Sequence, residues 1–81
     1  MLFGRKMSQV EEDVLDRSRT YKEFATYEEH ADSINEERGT AYKSEQVRDA
    51  IKQLQRDDKI VVQKRGLGPK KEYRLIFRPI M

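Results

Sequence analysis

Ser44-Glu45-Gln46-Val47-Arg48-Asp49-Ala50-Ile51-Lys52-Gln53-Leu54-Gln55-Arg56 runs into Asp57-Asp58-Lys59-Ile60-Val61-Val62-Gln63. Lys64-Arg65-Gly66-Leu67-Gly68-Pro69-Lys70-Lys71 follows, and the stretch closes on Glu72-Tyr73-Arg74-Leu75-Ile76-Phe77. Val47, Ala50, Ile51 and Leu54 stand at i, i+3, i+4 and i+7, the spacing that gathers four apolar side chains on one helical stripe. Ser44 is placed to cap that helix, which is expected from Glu45 to about Asp57. The period then changes from helical to alternating. Ile60 and Val62 alternate with Val61 and Gln63, and Tyr73, Leu75 and Phe77 alternate with Arg74, Ile76 and Arg78. Two strands are therefore expected, with Ile60, Val62, Tyr73, Leu75 and Phe77 facing inward. Gly66, Gly68 and Pro69 make the loop between them too long for a two-residue turn.

Upstream, two capping boxes mark two more helices. Ser8-Gln9-Val10-Glu11 opens the first, expected from about Gln9 to Ser18, with Val10, Val14 and Leu15 on its apolar face. Glu12, Asp13 and Asp16 lie on its other faces and suit the positive end of the helix dipole. Thr26-Tyr27-Glu28-Glu29 opens the second, whose apolar face is Tyr27, Ala31 and Ile34 with His30 on the flank. Gly39 is placed to end it in a left-handed conformation. Between the two helices, Arg19-Thr20-Tyr21-Lys22-Glu23-Phe24-Ala25 shows no decided period. Met1 to Met7 and Arg78 to Met81 are expected to be loose ends, with Leu2, Phe3, Ile80 and Met81 as candidate dimer contacts.

Charge is distributed unevenly. The chain has 81 residues and a net charge of only +2. Met1 to Asp58 holds 10 Lys/Arg against 14 Asp/Glu, whereas Lys59 to Met81 holds 7 against the single Glu72. A concentration of cations on one terminal hairpin is the footprint of a face shown to phosphates. Cysteine is absent, so disulfides and thiolate metal sites are excluded. His30 is the one histidine, and no serine, histidine and carboxylate stand at catalytic spacing, so no enzyme activity and no cofactor are expected. Glu28, Asp32 and Glu36 share one side of the second helix at i, i+4 and i+8, a pattern that reads as solvated carboxylates. No apolar run reaches the ~20 residues of a membrane span, and the first residues have no signal-peptide character. A cytoplasmic protein without membrane contact is expected.

The order of elements, the stripe Val47, Ala50, Ile51, Leu54, the transition Asp57-Asp58-Lys59-Ile60-Val61 and the basic hairpin together resemble the winged helix-turn-helix class. The resemblance covers Ser8 to Phe77, and small stand-alone members of that class occur among phage, plasmid and archaeal regulators. It implies a single α+β domain over residues 1–81, three helices with a C-terminal β-hairpin wing, and between the first two helices a stub of strand with Tyr21 and Phe24 pointing into the core. It also implies sequence-specific binding of double-stranded DNA in transcription regulation. The third helix then enters the major groove, where Gln46, Arg48 and Lys52 have the reach and donors to read base edges. Lys43 and Ser44 lie at its start. Lys64, Arg65, Lys70 and Lys71 flank the wing tip and suit phosphate contacts, which position rather than specify. Arg5 and Lys6 are candidates for an N-terminal arm. Glu45 and Asp49 oppose phosphate unless they pair with Arg48 and Lys52 or accept from cytosine N4. A symmetric homodimer is the expected assembly, with the first helix joining the apolar ends as candidate contacts, and no small-molecule ligand is expected. The alternative reading is a winged-helix adaptor or assembly protein, which needs an exposed apolar patch instead of a continuous basic surface.

Overall fold

The computed structural model describes residues 6–79. Three helices, α1 (Gln9–Thr20), α2 (Tyr27–Arg38) and α3 (Ser44–Arg56), precede an antiparallel hairpin of β1 (Ile60–Arg65) and β2 (Glu72–Phe77). This α+β arrangement is consistent with a winged helix. Leu2, Phe3, Arg5, Ile80 and Met81, assigned above to dimer contacts and an arm, lie outside the described residues.

Each helix starts as its first residues dictate. Ser8 and Thr26 both form complete capping boxes with Glu11 and Glu29, so amides that the first turn leaves unpaired are satisfied. Gly39 ends α2 at φ +67°, and its N–H donates to Asn35 O. α3 begins one residue earlier than expected. Lys43, not Ser44, takes the cap position, because Gln46 Oε1 accepts from the Lys43 N–H at 2.8 Å while Lys43 O already accepts from the Gln46 and Val47 amides. Ser44 is the first helical residue, and its hydroxyl is not the cap.

The stripe of α3 is the centre of the core. Val47, Ala50, Ile51 and Leu54 are each 3% exposed or less and pack with Val14, Leu15, Ala31, Ile34, Ile60 and Leu75. The hairpin register pairs Ile60 with Phe77, Val62 with Leu75 and Lys64 with Tyr73, so the inward set read from alternation faces α1 and α3. A stub of strand is present: Ala25 and Tyr73 exchange both backbone hydrogen bonds, at 3.1 and 2.8 Å.

Several sequence expectations are corrected by packing. Met7 packs against the core, and the Arg78 N–H donates to Lys59 O at 3.0 Å, so neither residue is a loose end. Phe24 does not enter the core. Its ring contacts two guanidiniums, those of Arg65 and Arg74, at 4.3 and 4.5 Å from the centroid. Alternation explains this, because Ala25 takes the inward position of the stub and is buried. His30 is fully buried rather than flanking. Its Nδ1 accepts from Arg17 Nε at 2.7 Å, which assigns the proton to Nε2, 2.9 Å from Tyr73 O. Asp13, read as an outward acid, is also buried.

Candidate nucleic-acid interface

What sets α3 in place is polar. Asn35 Oδ1 accepts from the Tyr42 N–H and the Thr40 hydroxyl, both at 2.8 Å, and its Nδ2 donates to Tyr42 O at 2.9 Å. One asparagine side chain thereby holds the turn between α2 and α3. The Tyr42 hydroxyl then donates to Asp13 Oδ2 at 2.8 Å, and Arg38 Nη1 and Gln9 Nε2 donate to Asp13 Oδ1. The turn, the end of α2 and the start of α1 are therefore tied at one buried carboxylate. Burial, and next the Asp13 hydrogen bond, raise the Tyr42 phenol above its ordinary value, so it stays a donor at any physiological pH.

All nine residues singled out as DNA contacts, Lys43, Ser44, Gln46, Arg48, Lys52, Lys64, Arg65, Lys70 and Lys71, are exposed. They fall into distinct groups. Ser44 lines a cleft with Thr26, Tyr27 and Glu28 at the start of α2 and with Gly68, Pro69 and Lys71 of the wing tip. The wing thus folds over the N-terminal ends of α2 and α3. Arg48 stands four positions after Ser44, one turn along α3, and so shares its face. The Tyr27 hydroxyl is pushed up by burial and by the Tyr73 phenol, and the nearby Arg48 cation pulls against that shift. Ser44 of α3 and Lys71 of the wing tip therefore face each other across the cleft, with Lys43 and Lys70 next to them in the chain and Arg48 one turn along α3 from Ser44.

Gln46 does not join them. It lines the opposite groove of α3 with Ser8, Val10 and Glu11 of α1, beside Asp49, Lys52, Gln53 and Arg56, and its carbonyl oxygen is engaged by Lys43. Gln46 and Arg48 are two positions apart, roughly 200° around a helix, so the two donors expected to read bases together face different sides. Lys52 lines the same groove as Gln46 and stands one turn along α3 from Arg48. Arg48 pairs with its neighbour Asp49, Nε to Oδ1 at 3.1 Å, rather than with Glu45 one turn away. Both side chains are largely exposed, and such surface pairs are worth about 0–1 kcal/mol, so an approaching phosphate or base can displace Asp49.

On the wing, Arg65 pairs with Glu72 at 2.7 Å, which cancels the one acid of the hairpin. Lys64, Lys70 and Lys71 make no ion pair among the described residues. Sequence reasoning missed three features here. Arg74 joins Arg65 around Phe24 on the outer face of the wing. Tyr27 stacks on Tyr73, centroids 4.0 Å apart and planes 13° from parallel, and this pair lines the cleft beneath the wing tip. Thr26, the cap of α2, lines the same cleft. The alternation of β2 already grouped Arg74 with outward residues, so that signal was available; the Tyr27–Tyr73 contact depends on the packing of α2 against the hairpin.

Among the described residues no cluster of His, Asp and Glu is arranged to hold a metal ion, and no helix is long and apolar enough to cross a membrane. Comparison of the chain with protein-family models, with curated proteins and with solved structures finds no match.

Proposed function

We propose that this protein is a winged-helix regulator of transcription that binds double-stranded DNA in the cytoplasm. The N-terminal half of α3 enters the major groove, and the wing lies on the adjacent phosphate backbone. The observation that supports this most is the shared cleft of Ser44, Gly68, Pro69 and Lys71, because it brings the cations of the wing beside those at the start of α3. A duplex presents phosphates along both edges of its major groove, so cations at a helix start and on a neighbouring hairpin can be engaged together.

Arg48 is the residue of this end best suited to base readout, since a guanidinium matches guanine O6 and N7 in a bidentate fashion. Lys43, Lys70 and Lys71 act as positioning cations. Gln46 serves α3 by closing its first turn and lies in the groove beside α1, away from Arg48. The adaptor reading needs a continuous exposed apolar patch. Among the described residues the large exposed apolar side chains are Val61 and Leu67, one in the strand and one at the tip, and they do not make such a patch.

Fluorescence anisotropy with a labelled random-sequence duplex at two salt concentrations tests the proposal. Binding is expected at low salt and should weaken with a log–log slope of about 0.9 per phosphate contact. A chain that is folded by circular dichroism and binds no duplex at low salt would refute it.

A further inference from the structure

Leu67 is 90% exposed, the most exposed large apolar side chain among the described residues. It stands at the crest of the wing, between two glycines with positive φ, Gly66 at +90° and Gly68 at +62°. The crest is built rather than slack. A Cβ on Gly66 would lie 2.9 Å from Lys70 O, so the chain turns there in a way that glycine alone permits. Gly68-Pro69-Lys70 then forms a single 3₁₀ turn, closed by the Lys71 N–H donating to Gly68 O. Pro69 restricts its backbone further. A defined turn thus holds one leucine outward, with Lys64 and Arg65 before it and Lys70 and Lys71 after it.

Cations around a central apolar side chain call for a partner that is anionic at its rim and apolar within. The minor groove of a duplex takes this form where a base step opens, with phosphates on both walls and, between the separated base pairs, apolar faces that a wedge can cover. An anionic lipid surface offers the same two chemistries, but a single leucine buries too little apolar area for stable anchoring. We infer that Leu67 is a wedge that enters the minor groove beside the site occupied by α3 and partly unstacks one base step. The inference rests on the DNA-binding reading and adds that the protein deforms its duplex. Lys70 and Lys71, on the groove walls, hold the crest down while the leucine replaces part of one stacking contact.

The test uses a duplex selected from a randomised pool by the full chain, carrying 2-aminopurine at successive positions. The wild-type protein is expected to raise the fluorescence at one step outside the α3 contact. Leu67→Ala should abolish that rise while weakening binding roughly tenfold, about 1.4 kcal/mol. Leu67→Phe should keep the rise, since a larger apolar side chain still separates bases. Wild-type binding with no rise at any position, or a rise that survives Leu67→Ala, overturns the wedge and leaves DNA binding intact. Binding to phosphatidylserine vesicles that Leu67→Ala abolishes, with no change in 2-aminopurine fluorescence, assigns the crest to a lipid surface and overturns it as well. Failure of the wild-type chain to bind any duplex removes both readings together.

Discussion

Asp13 has 2% of its surface exposed, and donors from Gln9, Arg38 and Tyr42 converge on it. A buried carboxylate is tolerable only when its lone pairs are filled, and here each filling group belongs to a segment that must be held. Asp13→Ala leaves the Tyr42 hydroxyl and one side of Arg38 without an acceptor, so a loss of about 1–3 kcal/mol is expected in urea unfolding. A midpoint equal to the parent's would show that the turn before α3 is held by Asn35 alone. His30 is the second such residue. Burial, assisted by the Arg17 cation, lowers its pKa against the opposing pull of the Tyr73 carbonyl and Glu29. The unfolded chain therefore binds a proton more readily than the folded one. Stability contributed here is complete above the ordinary histidine value of 6.5 and falls as pH drops below it toward the folded value. As the one histidine, its ring proton titration by NMR is unambiguous, and a midpoint below 6.5 is expected. A midpoint at or above 6.5 would contradict the burial of the ring against Arg17.

At the level of elements, the proposed DNA-binding function assigns different work to α3 and the wing. Ile51 and Leu54 are at most 1% exposed, and truncating either to Ala should cost about 2–5 kcal/mol in denaturant unfolding. Parent-like melting of both would mean that the buried stripe is misassigned. The opposite side of α3 tolerates change, so Arg48→Ala should fold normally. It should cost about 1–3 kcal/mol on the preferred duplex and much less on random DNA. Lys70→Ala with Lys71→Ala should weaken all duplexes alike and flatten the salt slope by about 0.9 per lost phosphate contact. Loss of selectivity in the wing variant, with only general weakening in Arg48→Ala, would reverse the two roles. The helical stripe and the strand alternation were legible in the sequence because they are local periodicities. The split between Gln46 and Arg48 was legible too, since their spacing alone puts them on different sides, but it gained meaning only once α1 and the wing were known to flank α3.

At the scale of the molecule, the fold is 41 Å along its longest axis over the described residues, comparable with one turn of duplex, ~34–36 Å. Under the proposed function, one small module buries too little surface for high specificity, so pairing of two chains on a two-fold operator is expected. Sedimentation of the protein on its preferred duplex is expected to show two chains per site. A single chain, both alone and on DNA, would exclude the dimer.

Local rules were sufficient for the element order of this protein. Capping boxes at Ser8 and Thr26, the glycine ending α2, the stripe of α3 and the alternation of the hairpin each depend on residues a few positions apart, and each stands where its neighbours require. Tertiary structure alone decided which charges are inside. Nothing in the acidic first turns of α1 separates Asp13, buried under Arg38 and Tyr42, from Glu12, which is exposed. Nor does spacing on α2 reveal that His30 meets Arg17 from one helix and Tyr73 from a strand more than forty residues away. A helix period orders side chains around an axis, but burial depends on what lies opposite, and those partners are brought there only by the closure of the chain.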